Sequence, residues 1–160
     1  FRQMVFNIKE QTSKITPCQV VIDQIGNHLA LNYPDIKVKI DILHQTRDAI
    51  LVDSSLVPAI LNLVHNAIRA TKANNCVEIE LTSACNNGLW QLNIRDFGQG
   101  FALSTLSQLG IKPVSSEQGL GMAVFLSHAS LERLGGKLEL TNHQKGGALV
   151  TLSLPLAKNN

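Results

Sequence analysis

Residues 55–73 read SLVPAILNLVHNAIRATKA, the segment from which the fold prediction starts. Its apolar residues recur at helical spacing, which predicts one long helix with a buried face. Asn62 and Asn66 are four positions apart and Arg69 follows Asn66 by three, so these polar side chains share one side of the helix. Amide oxygens can bind Mg²⁺ and arginine can pair with phosphate oxygens, whereas the simpler alternative is a solvated polar face.

Strand and turn patterns lie on both sides of this helix. Alternating apolar and charged residues predict half-buried strands, and the sequence NNG at residues 86–88 predicts a hairpin turn. Together they predict an α/β fold, a two-layer α/β sandwich whose mixed sheet has helices on one face and a more polar opposite face. The predicted elements are a helix from Thr16 to about residue 33, strands at 36–42, 49–52, 77–82 and 89–96, a helix at 120–134, and a hairpin of 137–142 with 148–154.

The composition indicates one folded domain. The chain has 160 residues, of which 44% are hydrophobic and 16% charged, and such a composition supports a core and is unlike that of a disordered chain. A net charge of +2 without a dense basic stripe argues against direct nucleic-acid binding. We place the domain at residues 16–157, preceded at 1–15 by a linker or the tail of an earlier helix.

Two glycine-containing motifs follow the long helix. In DFGQG at residues 96–100, a carboxylate ends an apolar strand, where it can accept a hydrogen bond from an exocyclic amine. Its glycines let the backbone approach a ligand closely. In GLGM at residues 119–122, the start of a helix offers backbone N–H groups to an anion. The intervening residues lack periodicity, and a loop of this length in a compact domain is usually functional.

The order of these features is more specific than any one of them. Helix asparagines, an Asp-x-Gly-x-Gly motif after the next hairpin and a Gly-x-Gly helix start resemble the N, G1 and G2 boxes of sensor histidine kinases. These kinases belong to a superfamily with gyrase, Hsp90 and MutL. The resemblance covers about residues 35–156, including the closing segment GALVTLSLP at 147–155. It implies a Bergerat-type ATP-binding fold with ATP and Mg²⁺ as ligands. The short lid and its flanks resemble redox-responsive kinases of the RegB/PrrB type.

The resemblance implies a role for each motif residue. Asn66 would hold Mg²⁺, Asn62 would assist it or a bound water, and Arg69 would lie near the phosphates. Asp96 would bind the adenine amine, with support from Thr151 through a water. The other implied ATP contacts are Gly98 and Gly100 at the pocket and lid hinge, Lys112 in the lid at 101–118, and Gly119, Leu120, Gly121 and Met122 at the phosphates.

The same comparison bears on the reaction. The ATPases of the superfamily carry a glutamate as general base one helical turn before the magnesium asparagine. Here that position is Asn62, and an amide cannot take up a proton at neutral pH. Hydrolysis is therefore disfavoured, while phosphoryl transfer to histidine remains open. Ala70 stands where an aromatic residue is frequent and Ala148 where serine or threonine is usual, and both departures are expected to weaken nucleotide affinity.

The phosphorylated histidine is expected outside this chain. The acceptor of the family has an acidic residue next to it and proline five positions later, and none of the five histidines here has proline at that offset. We therefore expect a phosphoacceptor and dimerisation domain elsewhere in the same parent protein, which would be a homodimer. A downstream response regulator is the second implied protein partner.

The sequence also bears on the cellular location of the protein and leaves two alternative functions open. No apolar run approaches the ~20 residues that span a bilayer, and the chain begins with Phe1. We expect a cytoplasmic domain whose parent protein is anchored in the bacterial inner membrane. The alternatives are a degenerate nucleotide-binding or partner-docking module without catalysis, and an anti-sigma-type serine kinase with the same pocket.

Overall fold

The computed structural model describes residues 12–102 and 120–157 of the chain. Within these residues, helices lie on one face of a five-stranded sheet, and a separate two-stranded sheet is formed by residues 14–17 and 49–52. Among the helices in residues 12–102 and 120–157, none combines the length and hydrophobicity that a bilayer span requires. In chain order the elements are β1 (Lys14–Pro17), α1 (Cys18–Asn32), β2 (Lys37–Leu43), β3 (Ala49–Val52), α2 (Leu56–Ala73), β4 (Glu78–Asn86), β5 (Leu89–Arg95), α3 (Leu120–Arg133), β6 (Lys137–Asn142) and β7 (Ala148–Pro155).

The sheet is mixed, as predicted. Its strand order is β2-β4-β5-β7-β6; β2 and β4 are parallel, and the other neighbours are antiparallel. The hairpin of β4 and β5 turns through Asn87 and Gly88, whose φ angles are 53° and 77°. Positive φ at both central residues is what a two-residue type I′ turn requires. The predicted hairpin is therefore confirmed. The antiparallel pairing of β5 with β7 places the end of β5 beside the start of β7.

The hydrophobic core lies between the sheet and the three helices that the described residues form. Along β4 and β5, buried residues alternate with partly exposed ones, because successive strand side chains point to opposite faces. The opposite face is polar, as predicted: the Arg95 guanidinium lies 3.3 Å from the Glu80 carboxylate across the two strands. Core side chains include Val21, Ile25 and Leu29 of α1, Ile60, Val64 and Ile68 of α2, Val124 and Leu131 of α3, and Leu81, Trp90, Leu92 and Leu152 of the sheet.

The start of the domain differs from the prediction. Residues Lys14–Pro17 form β1, antiparallel to β3, so the predicted boundary between residues 15 and 16 falls inside a strand. Helix α1 begins at Cys18 without a side-chain cap, and the Thr16 hydroxyl donates to the Lys14 carbonyl oxygen (3.3 Å). The predicted helix start at Thr16 was therefore two residues too early, because residues 14–17 pair with β3 instead.

Hydrogen bonds join helix α3 to α2 and to the residues just before α2. Within the helix interface, the Ser127 hydroxyl donates to the Ala59 carbonyl oxygen (3.2 Å). Further along, Arg133 Nε donates to Asp53 Oδ2 (3.2 Å), while Asp53 Oδ1 accepts from the Ser55 N–H and hydroxyl. Burial acts to raise the pKa of Asp53, but the hydrogen bonds from Ser55 and the charge of Arg133 lower it on balance. These contacts fix α3, whose Val124 forms part of the cavity described below.

Trp90 gives a test of the core. Its side chain is fully buried, and its indole N–H donates to the Ser83 hydroxyl (2.8 Å). We expect Trp90→Ala to lower the free energy of unfolding by about 3–5 kcal/mol, because it leaves a cavity and removes one of the two hydrogen-bond partners of the Ser83 hydroxyl, whose other partner is His44 Nδ1. Urea denaturation followed by circular dichroism measures this change. Leu31→Ala is the control, since Leu31 is 81% exposed, and its effect should stay within about 0.5 kcal/mol.

Candidate functional site

Asp96 directly follows β5 and carries a carboxylate on the helix-covered face of the sheet. Its N–H donates to the Ala148 carbonyl oxygen (3.0 Å), which extends the pairing of β5 with β7 by one residue. Its Oδ1 accepts the N–H groups of Gly98 (3.0 Å) and Ala148 (2.9 Å). No residue in the described ranges donates to Oδ2. The carboxylate is therefore held by one oxygen, and the other remains an acceptor for a ligand.

The burial of Asp96 controls its protonation. The residue is only 6% exposed. Burial raises the pKa of Asp96 by more than the Ala148 and Gly98 N–H groups and the charge of Arg95 lower it. A desolvated carboxylate with a raised pKa on a cavity wall is typical of functional sites.

Thr71, in the last turn of α2, and Asn74, directly after this helix, hold the peptide after Asp96. The Phe97 N–H donates to the Thr71 hydroxyl (3.0 Å), and Asn74 Nδ2 donates to the Phe97 carbonyl oxygen (2.9 Å). Gly98 then lies so close to the helix that a β-carbon there would stand 2.9 Å from the Ala70 carbonyl oxygen. We had not predicted Thr71 or Asn74. The sequence did indicate that Thr71 is buried, because its position continues the helical spacing of the apolar residues of α2.

Gly147 is a further site residue that we had not selected. It lies just before β7 with φ of 84°, and a β-carbon there would lie 2.0 Å from the Asp96 carbonyl oxygen. A side chain at this position would therefore push the two strand ends apart. Glycine allows the backbone of the β6–β7 hairpin to approach Asp96 closely enough for the Ala148 N–H to reach Oδ1.

These residues border a cavity of about 260 Å³ between α2, α3, β7 and the segment after β5. Its described walls are mainly apolar, with four polar side chains among them. The Nδ2 atom of Asn66 is buried there without a hydrogen-bond partner in the described part of the chain. An apolar cleft with a few fixed polar groups is the usual form of a small-molecule site. The polar lining side chains are Asn66, Asn74, Asp96 and Gln99, and the apolar ones include Leu63, Ala67, Ala70, Phe101, Val124 and Val150.

The structure brings some of the predicted site residues together. Asn66, Asp96 and Gly100 line the cavity, and Gly98 lies beside it as a hydrogen-bond donor to Asp96. Asn62 instead lines a second hollow with Tyr33 and His65. Arg69 is exposed and is not among the described residues that line the cavity.

The predicted role of Thr151 is inconsistent with its position. Its hydroxyl donates to Asn93 Oδ1 (2.6 Å) across β5 and β7. The neighbouring Val150 lines the cavity, so Thr151 points to the opposite face of the sheet. It cannot support Asp96 through one water, because the sheet lies between them. The closing-strand spacing alone had not shown which alternate residues face inward.

The remaining predicted contacts lie at the edge of the described chain. Lys112 and Gly119 fall outside the described residues. The first turn of α3 contains Leu120, Gly121 and Met122. The side chains of these three residues are not among those that the structure describes. The predicted helix start at this motif is confirmed, and Val124, in the following turn, lines the cavity together with Asn66 and Asp96.

Comparison with known proteins defines the class to which this fold and site belong. Residues 52–158 match the family model of histidine kinase-, DNA gyrase B- and HSP90-like ATPases. The chain belongs to this family. Its sequence relatives are sensor proteins, and the predicted ATP-binding catalytic domain of the sensor histidine kinase type is confirmed.

Individual relatives support the same class. Sensor protein DegM of Bacillus sp. (strain B21-2) is 29% identical over 109 residues, which cover 68% of this chain and 29% of DegM. The chain thus spans less than a third of that relative. The mycobacterial sensor histidine kinase MprB has the same fold, with a TM-score of 0.75, 19% identity, and coverage of 92% of this chain and 99% of that one. Full-length ShkA in complex with AMPPNP matches with a TM-score of 0.77, 18% identity, and coverage of 94% and 32%.

The raised pKa of Asp96 predicts a pH-dependent effect on stability. The protonated form favours the folded state, so its contribution is present at low pH and is lost as the pH rises through the folded-state pKa. We expect Asp96→Asn to unfold at a higher urea concentration than the parent at pH 7, with the difference diminishing as the pH falls. Asp41→Asn, at an exposed position, controls for the loss of one negative charge. A difference that grows toward low pH would contradict the assignment.

Proposed function

We propose that this chain binds ATP with Mg²⁺ in the Asp96 cavity and transfers the γ-phosphoryl group to a histidine of a separate helical domain. The main support for this proposal is that Asp96 and Asn66 both line one apolar cavity, each with a polar atom available to a ligand. No described residue donates a hydrogen bond to Asp96 Oδ2, and the buried Nδ2 atom of Asn66 has no partner among the described residues. Buried polar groups are normally hydrogen-bonded, so each is suited to a ligand atom.

The adenine end of the nucleotide fits the Asp96 side of the cavity. Oδ2 of the ionised carboxylate can accept a hydrogen bond from the exocyclic amine. The apolar side chains of Leu63, Ala67 and Val150 line the same cavity and would bury the faces of the purine ring. Because Oδ1 is fixed by two backbone N–H groups, Oδ2 is oriented before the nucleotide arrives.

The phosphate end fits Asn66 and the start of α3. The amide of Asn66 offers an oxygen when the group turns about its last bond, and amide oxygens are suitable ligands for Mg²⁺. Mg²⁺ held by Asn66 would neutralise part of the negative charge of the triphosphate. The N-terminus of α3 adds backbone N–H groups that favour an anion. In this arrangement Gly119, Leu120, Gly121 and Met122 would contact phosphates, with Lys112 and Arg69 near the outer end, while Asn62 lies in the second hollow, away from the nucleotide.

The residue one helical turn before Asn66 favours transfer over hydrolysis. Asn62 occupies this position, and an amide is not a general base at neutral pH. A histidine needs no such base, because its neutral imidazole nitrogen attacks the γ-phosphorus directly while ADP leaves. The chain's part in this reaction is to bind and orient the triphosphate. We further propose that the acceptor domain belongs to the same parent protein, which is a homodimer anchored in the inner membrane. A response regulator would be the downstream partner of this parent protein.

Replacement of Asn66 tests the binding site. We expect Asn66→Ala to weaken the binding of AMPPNP with Mg²⁺ by at least about tenfold, since a ligand to the metal is lost. Isothermal titration calorimetry with and without Mg²⁺ measures the change, which should be far smaller when Mg²⁺ is absent. The matched control is Asn27→Ala at an exposed position on α1. Equal affinities for Asn66→Ala and the parent would refute the magnesium role.

Phosphorylation assays test the reaction. We expect the chain alone to acquire no phosphate from ATP and Mg²⁺, because none of its five histidines has the acceptor pattern. Addition of a helical acceptor domain from a sensor kinase should produce acid-labile phosphohistidine on that domain. Nucleotide binding without transfer to the parental acceptor domain would favour the degenerate binding module, and acid-stable phosphoserine would favour the anti-sigma-type kinase.

A further inference from the structure

Asn142, the last residue of β6, forms hydrogen bonds to the backbone of Phe101 through both polar atoms of its side chain. The Phe101 N–H donates to Asn142 Oδ1 (2.7 Å), and Asn142 Nδ2 donates to the Phe101 carbonyl oxygen (2.9 Å). The two residues are 41 positions apart in the chain. One amide thus satisfies both polar groups of a residue that belongs to no regular element, and Phe101 also lines the cavity.

The position of Asn142 links this contact to Asp96. Asn142 pairs with Ala148 as the final rung between β6 and β7. The Ala148 N–H binds Asp96 Oδ1, while the side chain of Asn142 binds Phe101. The paired residues Asn142 and Ala148 therefore bind the two ends of the segment 96–101.

Gly100 shows how closely Asn142 approaches this segment. Its φ is 83°, and a β-carbon there would lie 2.8 Å from Asn142 Oδ1. Glycine meets both requirements, because it adopts positive φ readily and leaves room for the amide. Gly100 and Phe101 form adjacent parts of the cavity wall, so the Asn142 contact fixes the wall beyond the part that Thr71 and Asn74 hold.

We propose that Asn142 is a positioning residue for nucleotide binding, whose amide keeps the Gly100–Phe101 wall in its binding-competent form before the ligand arrives. This inference rests on the proposed function of the cavity. Apparent affinity falls in proportion to the fraction of molecules in the competent form. Without the amide, the wall samples other conformations, and the nucleotide has to reorder it.

The chemistry of the side chain predicts a graded series of variants. The asparagine amide offers a donor and an acceptor on two separate atoms, serine offers both on one shorter hydroxyl, and alanine offers neither. Asn142 is exposed, so each of its hydrogen bonds is expected to contribute at the low end of the usual range. We therefore expect the dissociation constant for AMPPNP to rise about fivefold in Asn142→Ala. Asn142→Ser should fall between this variant and the parent.

The experiment combines two measurements on the parent, Asn142→Ala, Asn142→Ser and the control Asn27→Ala. Calorimetry gives the dissociation constant for AMPPNP with Mg²⁺. Amide hydrogen exchange without nucleotide reports the Phe101 N–H directly, with the Leu92 N–H in the central strand β5 as an internal reference. We expect faster exchange at Phe101 but not at Leu92, together with weaker binding, in the order alanine, serine, parent. Asn27→Ala should match the parent in both measurements.

The two readouts separate the inference from the proposed function. Absence of AMPPNP binding by the parent would overturn the proposed function and, with it, the role of Asn142. If the parent binds, either unchanged exchange at Phe101 or faster exchange with unchanged affinity would overturn the inference alone. Should Asn142→Ala fail to fold, the affinity and the Phe101 exchange of Asn142→Ser decide between the same outcomes.

Discussion

The hydrogen bonds from two backbone N–H groups to one oxygen of Asp96 are the interaction on which the rest of the site depends. They join the end of β5, the turn at Gly98 and the start of β7 at a single buried atom. This junction requires Gly147, because a β-carbon there would collide with the Asp96 backbone. A carboxylate fixed in this way presents its second oxygen in one direction, which is the geometric requirement for recognising one edge of a ligand.

The segment 96–101 lies outside the strands, so its backbone groups need other partners to remain ordered. Neutral side chains supply them: Thr71 and Asn74 bind Phe97, and Asn142 binds Phe101. None of these three brings a charge to the cavity wall. Among the described residues that line the cavity, Asp96 is the one with a charged side chain, and burial raises its pKa because water does not solvate it fully.

Much of the fold was predictable because it depends on local patterns. The period of apolar residues identified α2 and the strands, and the Asn87-Gly88 turn identified the hairpin. Strand β1 was missed because its pairing with β3 is non-local and leaves no alternation in four residues. In the site, Asn66 and Asp96 were predicted from motif order. Asn142 was not, because nothing near it in the chain indicates that it reaches Phe101.

The sequence by itself determined the class of fold, the motif residues and the lack of an acid or base at Asn62, because residue identity and spacing carry this information. Tertiary structure alone decided which polar residues share the cavity. Asn62 and Asn66 are one turn apart on the same helix, yet they line different hollows, and Thr151 faces away from Asp96. The physical reason is that neighbouring elements cover only part of each helix or strand, and their positions are set by contacts between distant parts of the chain.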